Sequence, residues 1–233
     1  MSPVKSPTPM EQNRGLKPAA SSSARPKADD AVKLHYTMRD KAGKLLDTTR
    51  GLGPATLEIA RLFPGWWEGL LLMQVGARFE LEIPTALGPE APRAKQTGLI
   101  TMDIEFLEIL PAPRFEKPDA AKLQKSAGGF SFQILREGKG QKIREEENFK
   151  MHFAFWNEKG KLIDWTRKRG PMPGTFGKMK IPFLNSVLTM MQVGSVLLCE
   201  VPPEICFGGQ HFPGLPPQSK TIWKVELLKI IPP

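Results

Sequence analysis

Cysteine and histidine are scarce in this chain of 233 residues, which contains two of the first and three of the second. One thiol, Cys199, lies inside the apolar run Val196–Cys199, where a small buried side chain is expected. A disulfide with Cys206 is the less favoured alternative, since we find no export signal in the sequence. The cysteines and histidines are too scattered for the ligand spacing of a zinc site. We therefore predict no metal centre.

Long apolar runs are also missing, and the first 30 residues show no apolar periodicity. This segment is rich in Pro, Ser and Ala, as in Ser6–Pro9 and Ala19–Ser23. Such a composition buries too little apolar surface to fold, and it matches neither a secretory signal nor a transmembrane segment. We expect residues 1–30 to be a disordered tail, and the protein to be cytoplasmic and to make no contact with a membrane.

The formal net charge of +9 is concentrated in the second half of the chain. Between residues 114 and 233, Lys and Arg outnumber Asp and Glu by 19 to 11, partly through Arg167-Lys168-Arg169. A basic surface of this kind can meet nucleic acid, an acidic membrane or an acidic protein. No aromatic interleaving or nucleic-acid-binding motif accompanies it, so a solvated loop face is the favoured interpretation and nucleic acid is not an expected partner.

One pattern occurs twice, about half a chain apart. Each copy has a His-aromatic pair, a Gly-Lys-Leu run that continues to Asp-x-Thr-Arg, and a Met-Gln-Val-Gly motif. The copies are His35-Tyr36, Gly43–Arg50 and Met73–Gly76, then His152-Phe153, Gly160–Arg167 and Met191–Gly194. A repeat this long exceeds the unit of a solenoid and indicates two successive domains. We predict domains at 31–110 and 129–233, joined by a Pro-rich linker at 111–128.

Strand patterns dominate each predicted domain. Residues 32–37, 79–83 and 102–106 alternate apolar and polar side chains, as half-buried strands of an antiparallel sheet do. One stretch per domain has helical spacing instead, with apolar residues at i, i+4 and i+7. These are Trp66, Leu70 and Met73 in the first domain and Leu184, Leu188 and Met191 in the second. We predict an α+β fold in which each domain packs a curved antiparallel β-sheet on one short α-helix.

The order of these motifs resembles the FKBP-type peptidyl-prolyl cis-trans isomerases. That family runs from a V-x-H-Y-T strand through P-G-W-x-E-G-[LV]-x-x-M-x-V-G to I-P-x-x-x-A-Y-G and a closing F-x-V-E-L-L. The stretch Pro64–Gly76 matches the most specific of these motifs. An opening strand of the G-[LF]-x-[YF]-x-[IV]-L-x-E-G-x-G type is present in the second copy, at Gly129–Gly140, and missing from the first.

The resemblance implies an activity that needs no nucleophile, metal or cofactor. Rotation about an amide C–N bond has a barrier of about 18–20 kcal/mol because twisting breaks its resonance. At X–Pro bonds the two ground states differ little, so the reaction is slow rather than uphill. An aromatic cavity that excludes water favours the twisted amide, and fixed donors can hold its carbonyl.

The family's pocket can be matched to the first domain residue by residue. The resemblance implies that Trp66 forms the pocket floor and that the backbone amide of Phe63 holds a substrate carbonyl. The first domain also retains the family's Tyr and Asp, as Tyr36 and Asp47. We predict these four residues as the catalytic set. The predicted substrate-binding walls are Leu46, Leu62, Leu87 and Met102. The alternative for Trp66 and Tyr36 is that they are ordinary core aromatics.

Three features of the first domain depart from the family. Ala86-Leu87-Gly88 replaces A-Y-G, so the phenol that usually donates to the ligand is missing. The loop at 89–97 is short and polar, and Met102 stands where an aromatic wall is usual. We expect ligand binding to survive these losses better than fast turnover.

The second domain departs at other positions. Leu184 replaces the floor Trp, Phe153 replaces the strand Tyr, and Phe207 replaces the Tyr of A-Y-G. Asp164 is kept, although a purely structural hydrogen-bonding role is the favoured alternative for it. The predicted pocket of this domain comprises Phe153, Ile163, Asp164, Ile181, Leu184, Phe207, His211, Leu215 and Trp223. Without the floor Trp we expect no efficient isomerisation here.

Two functions are consistent with these residues. The first is a peptidyl-prolyl cis-trans isomerase that acts on the X–Pro bonds of protein clients, mainly through the first domain. The alternative is a non-catalytic FKBP-like module that binds clients as a chaperone does. In both cases the expected partners are proline-containing proteins or peptides, with a macrolide as a further ligand, and no cofactor is expected.

Overall fold

The computed structural model describes residues 24–89, 98–207 and 212–231, and the chain divides into two compact units between Ala112 and Pro113. Each unit consists of an antiparallel β-sheet and a short α-helix close to the middle of its sequence, and the second unit has one further helix of four residues that was not predicted. The predicted α+β class and the tandem arrangement are therefore confirmed.

The first unit contains one five-stranded sheet. Its strands are β1 (Ala31–Asp40), β2 (Leu45–Thr48), β3 (Ala55–Glu58), β4 (Arg78–Pro84) and β5 (Leu99–Leu110), and its helix is α1 (Pro64–Leu72). The strands lie in the order β2-β1-β5-β4, and β3 pairs with β1 beyond the end of β2. Helix α1 begins at a proline, which suits the first helical position because its N–H would have no partner there.

The second unit repeats this arrangement and adds strands at one edge. Its strands are β6 (Gln124–Lys125), β7 (Ser131–Arg136), β8 (Asn148–Asn157), β9 (Leu162–Trp165), β10 (Met172–Thr175), β11 (Val196–Val201) and β12 (Thr221–Ile231), and its helices are α2 (Pro182–Leu188) and α3 (Pro203–Cys206). The order is β10-β8-β12-β11-β7-β6, and β9 pairs with β8. Strand β7 is the opening strand that the sequence of the second copy predicts.

Each unit has its own apolar core between the helix and the sheet. In the first unit Leu70 of α1 and Met73, the residue that follows the helix, are fully buried with Ile104 and Phe106 of β5. In the second, α2 buries four apolar residues against the sheet: Phe183, Leu184, Val187 and Leu188. The helical spacing in the sequence therefore identified the inward-facing side chains.

The repeated Met-Gln-Val-Gly motif makes the same connection in both units. Gly76 and Gly194 have φ angles of 87° and 92°, a region that a side chain disfavours. Their N–H groups donate to backbone carbonyls of the closing strand, Gly76 to Phe106 at 2.7 Å and Gly194 to Leu227 at 2.8 Å. The motif therefore fixes the chain where it passes from the helix to the sheet.

The tail prediction needs a correction at its last residues. Pro26 and Asp30 are buried, although both fall inside the segment predicted to be disordered. The Asp30 carboxylate accepts hydrogen bonds from the backbone N–H groups of Lys27, at 2.8 Å, and Ala112, at 2.9 Å. This contact links residues 82 positions apart, which no local pattern reveals. Residues 1–23 of the predicted tail lie outside the described residues.

The linker prediction also differs from the structure. Phe115 packs edge to face on Trp156, with ring centroids 5.9 Å apart, and Glu116 forms an ion pair with Lys224. The second unit therefore begins at Pro113 rather than at Gly129. An aromatic side chain in a Pro-rich stretch is enough to dock that stretch onto the sheet, because it buries a large apolar area.

No helix in the described ranges is long and apolar enough to cross a membrane. The same ranges contain no group of three or more His, Cys, Asp or Glu side chains placed to hold a metal ion. Cys199 and Cys206 are both buried free thiols.

Candidate functional site

Tyr36 and Asp47 meet between the first two strands of the first unit. The pairing of β1 with β2 sets Asp47 opposite Met38. Met38 lies two residues after Tyr36, so both side chains are on the same face of β1. The phenol donates a hydrogen bond to Asp47 Oδ2 at 2.5 Å. The pKa of Tyr36 is raised to about 12, first because burial disfavours the phenolate and then because of the hydrogen bond to Asp47 and its negative charge. The phenol is therefore neutral, and its hydrogen is already donated to Asp47.

Trp66 lies next to this pair in the first turns of α1. Its ring centroid is 5.0 Å from that of Tyr36, with the planes at 65°, and 5.4 Å from that of Phe63. The indole is 5% exposed, and its buried Nε1–H has no hydrogen-bond partner within the described residues. The structure therefore brings Tyr36, Asp47, Phe63 and Trp66 together, as the predicted catalytic set requires.

Phe63 is the residue that caps α1 at its start. Its carbonyl accepts hydrogen bonds from the N–H groups of Trp66, at 3.0 Å, and Trp67, at 3.2 Å. Its own N–H donates no hydrogen bond within the described part of the chain. Leu62 and Phe63 are both half-buried against the core. A donor N–H beside an aromatic floor is the arrangement that can hold a carbonyl oxygen.

The predicted walls occupy different depths. Leu46 on β2 is 40% exposed, while Met102 on β5 has no exposed surface and is paired with Met38 in the sheet. Leu87 is half-buried and lies against the start of α1, where a Cβ on Gly65 would come within 3.2 Å of the Leu87 Cβ. Most of the loop at 89–97 lies outside the described residues, which resume at Gly98.

The His and Thr residues of the repeated motif position the strand that carries Tyr36. Thr49 Oγ1 accepts from the Tyr36 N–H at 2.9 Å and lies 3.1 Å from His35 Nδ1. The second unit repeats this cluster, in which Thr166 Oγ1 accepts from the Phe153 N–H at 3.0 Å. Because the cluster occurs in both units and is buried or half-buried, these residues hold the strands in register.

Asp164 of the second unit has cationic partners in place of a phenol. Its carboxylate accepts from Arg169 at 2.6 and 2.9 Å and pairs with Lys168 at 2.7 Å. Burial alone would raise the pKa of this group, but the bonds and charges of Arg169 and Lys168 lower it to about 2. This contact explains part of the basic run at 167–169, as does the ion pair of Arg167 with Glu226.

Aromatic side chains fill the second unit at the matching place. Phe155 and Trp223 stack with centroids 4.2 Å apart, and Phe207 stacks on Phe212 at 4.7 Å. Phe153 packs on Trp223 at 5.3 Å. Other predicted pocket residues, namely Ile163, Leu184 and Leu215, are buried in the same cluster, and Ile181 is half-buried beside it. His211 lies outside the described residues.

The sequence reasoning missed Phe155, Lys168 and Arg169 as parts of this region. Phe155 lies two residues after Phe153 on β8, so the alternation of the strand was a usable signal for it. No comparable signal linked Arg169 to Asp164, because that contact depends on the conformation of the turn after β9.

An antiparallel sheet, a short helix and a Tyr–Asp–Trp cluster between them define an FKBP-like domain in the first unit, and the second unit repeats the fold. The family model described as FKBP-type peptidyl-prolyl cis-trans isomerase matches residues 22–100 and 139–228, which are more than half of the chain. The chain therefore belongs to this family.

Two curated relatives illustrate the likeness. The FKBP-type peptidyl-prolyl cis-trans isomerase FkpA of Aeromonas hydrophila is 37% identical over 101 residues, which are 42% of this chain and 35% of that protein. The FKBP-type 22 kDa peptidyl-prolyl cis-trans isomerase of Escherichia coli K12 is 37% identical over 90 residues, which are 36% of this chain and 44% of that protein. The match thus spans less than half the length of either relative.

Solved structures of the same family are also similar. The crystal structure of FkpA from Escherichia coli has a TM-score of 0.44 at 27% identity and covers 48% of this chain and 52% of that one. The structure of the three FKBP domains of wheat FKBP73 covers 90% of both chains, with a TM-score of 0.42 at 19% identity.

Proposed function

We propose that the protein is a peptidyl-prolyl cis-trans isomerase that acts on X–Pro bonds of protein clients, mainly through its first domain. The observation that carries this proposal is the cluster in which Trp66 packs on Tyr36 and Phe63 while Asp47 accepts from the Tyr36 phenol. The second domain has Leu184 in place of the indole, and its Asp164 is held by Lys168 and Arg169. The aromatic floor and a donor N–H therefore occur together in the first domain.

The chemistry follows from the side chains that are present. A prolyl ring placed on the Trp66 indole, beside Tyr36 and Phe63, leaves water and enters an apolar surface, where the twisted amide is favoured. The Phe63 N–H supplies a donor for the carbonyl next to the bond that rotates. Tyr36 forms part of the apolar surface and does not transfer a proton, because its hydroxyl donates to Asp47 and its pKa is raised to about 12.

A client-binding module without turnover is the second candidate. The observation that favours it is Leu87, which lies against the start of α1 at the position where the family has a hydrogen-bonding Tyr. An apolar residue there keeps contact area and loses one donor, so affinity is reduced less than transition-state stabilisation. The ligands are the same in both cases, proline-containing proteins or peptides, and a macrolide would compete with them for the Trp66 site.

The decisive experiment measures proline isomerisation in a peptide with the full chain. Trp66→Leu copies the residue that the second domain has at Leu184, and we expect it to lower kcat/KM by at least about tenfold, equivalent to roughly 1.4 kcal/mol. Trp67→Leu is the matched control, since it removes the neighbouring half-buried indole, and it should leave the rate unchanged. Circular dichroism of both variants checks that the fold is intact.

The outcomes separate the candidates. Equal activity in Trp66→Leu and the unaltered chain would place the site elsewhere. Peptide binding that depends on Trp66 without any catalysed isomerisation would support the client-binding module. Loss of activity in Asp164→Asn, with the fold retained, would show that the second domain contributes to catalysis.

A further inference from the structure

The outer edge of β4 in the first domain has no partner strand within the described residues. Strand β4 pairs with β5, from Arg78 opposite Glu105 to Pro84 opposite Leu99. In the second domain the matching strand, β11, has β12 on one side and β7 on the other. An edge strand presents a row of unpaired N–H and C=O groups to an incoming chain.

The positions of the two edges can be matched through the repeated motif. Met73 and Met191 begin the two Met-Gln-Val-Gly motifs, so each residue of β4 can be matched to the residue of β11 that lies equally far along the sequence from its motif. By this match Phe79 corresponds to Leu197, and Leu81 to Cys199. Strand β7 lies along β11 with Phe132 opposite Cys199 and Gln133 opposite Leu198. It therefore shows what an added strand would meet on β4.

Apolar side chains at the β4 edge are only partly covered. Phe79 and Leu81 are half-buried, whereas the corresponding Leu197 and Cys199 are 2% and 0% exposed. The difference coincides with β7, whose Phe132 packs into the core of the second domain. An added strand on β4 would remove the remaining apolar surface of Phe79 and Leu81 from water.

The other face of β4 is acidic apart from Arg78, which is paired with Asp103 of β5. Glu80 and Glu82 are exposed, and neither forms an ion pair within the described residues. By the same match they face the strand positions that Gln133 and Ser131 occupy in the second domain. Exposed Glu68 on α1 corresponds to Ser186, which lies close to Gly128, three residues before the start of β7. A strand added to β4 would therefore pass three carboxylates.

We propose that the β4 edge docks an extended segment of a partner protein as an additional strand, and that this segment alternates apolar residues with Lys or Arg. The backbone of β4 supplies the hydrogen bonds, the apolar residues cover Phe79 and Leu81, and the cations face Glu80 and Glu82. The β4 residues are not among the ring and hydrogen-bond contacts that join Tyr36, Asp47, Phe63 and Trp66. The proposal therefore does not depend on whether the first domain catalyses isomerisation.

In the two registers centred on the middle of β4, a second copy of this chain is a poorer occupant of the edge. Two β4 strands paired antiparallel about Leu81 would set Glu80 of each opposite Glu82 of the other. Pairing about Glu80 would set two Glu80 side chains opposite each other. Like charges directly opposite destabilise a strand pair, whereas Lys or Arg at these positions would stabilise it.

A synthetic peptide tests the proposal on the full chain. The probe has the sequence of residues 129–135 with Ser131→Lys and Gln133→Lys, which places cations opposite Glu82 and Glu80 in the register of β7. The control peptide has Ser131→Glu and Gln133→Glu. We expect at least tenfold tighter binding of the lysine peptide at low ionic strength, a difference that shrinks as salt is added. Hydrogen exchange at the amides of 79–83 should slow when the lysine peptide binds.

Matched protein variants show which carboxylates act. Glu80→Gln combined with Glu82→Gln should reduce the preference for the lysine peptide to less than threefold. Glu108→Gln is the control, because it removes an exposed carboxylate from β5 and should leave the preference unchanged. A preference that persists in the double variant overturns the assignment of Glu80 and Glu82.

Three further results would overturn the proposal. The first is that neither peptide binds or slows exchange at 79–83. The second is that the lysine peptide binds a chain lacking residues 1–23 but not the full chain, which would assign the edge to the chain's own first residues. The third is a dimer in sedimentation in which the amides of 79–83 are already protected without peptide, which would assign the edge to a second copy.

Discussion

Tyr36 donates a hydrogen bond of 2.5 Å to Asp47, and Tyr36 is the only tyrosine in the chain. The phenolate absorbance of the protein therefore reports this single group. Burial, the hydrogen bond to Asp47 and the charge of Asp47 together raise its pKa from 10.0 to about 12. Since the folded pKa exceeds the unfolded value, the stabilisation from Tyr36 is fully present below pH 10 and is lost as the pH rises towards 12.

We predict a phenolate titration with a midpoint near 12 in the folded chain. In Asp47→Asn the midpoint should move down towards 10.0, because the charge is removed, and remain above it, because burial persists. Circular dichroism recorded in parallel shows whether the chain is still folded at each pH. A midpoint near 10.0 in the folded, unaltered chain would contradict the Tyr36–Asp47 contact.

Asp30 should be important for the stability of the first domain. Its buried carboxylate accepts from the backbone N–H groups of Lys27 and Ala112. Asp30→Ala leaves these donors without their partner, and we expect a loss of about 1–3 kcal/mol in the free energy of unfolding. Asp29→Ala removes an exposed neighbour and should change stability by less than about 0.5 kcal/mol. Urea denaturation measures both, and equal effects would show that the Asp30 contacts contribute little.

Stability in acid should depend on Asp164. The pKa of this carboxyl is lowered from 3.8 to about 2, so its stabilisation is present above pH 3.8 and is lost as the pH falls through 2. We expect the chain to lose roughly 1–2 kcal/mol over this interval, a value reduced for the partial solvent exposure of Arg169. Asp164→Asn should lack this component when urea midpoints are compared at each pH. The same pH dependence in the variant would assign the transition to other carboxyls.

Periodicity and the repeated motifs were enough to predict the architecture. Helical spacing identified Trp66, Leu70 and Met73 as inward-facing, and the structure buries all three. The positive φ of Gly76 and Gly194 agrees with a chain reversal at the end of each motif. These features are local, because they depend on residues within about two helical turns, and local patterns are what a sequence displays directly.

Long-range contacts could not be predicted in the same way. The hydrogen bonds from Ala112 N–H to Asp30 and from Lys224 to Glu116 join residues 82 and 108 positions apart. The stacking of Phe155 on Trp223 depends on the register of β8 with β12, which a single sequence does not display. A count of basic residues at 167–169 also suggested a basic surface patch, because a count does not show which acidic partners these residues meet. In the structure Arg167 pairs with Glu226 and Arg169 with Asp164.

A phenol introduced at position 87 tests whether a missing donor limits the isomerisation that we propose for the first domain. Leu87 is half-buried beside the start of α1, where it lies close to Gly65, the residue before Trp66. A hydroxyl that reaches the bound carbonyl would add a hydrogen bond worth about 0.5–1.5 kcal/mol net. We therefore expect Leu87→Tyr to raise kcat/KM by up to roughly tenfold. Ala86→Tyr places the same ring on the exposed neighbouring residue and should have no effect.

Rate and peptide affinity must be measured together on these two variants. A gain in both with Leu87→Tyr supports a working isomerase that a missing donor has slowed. Tighter binding without turnover supports the client-binding module, because the donor then stabilises the bound ground state alone. If neither quantity changes, or if Ala86→Tyr gives the same gain, then Leu87 does not lie at the rim of the Trp66 site, and the contact that a Cβ on Gly65 would make with Leu87 marks helix packing alone.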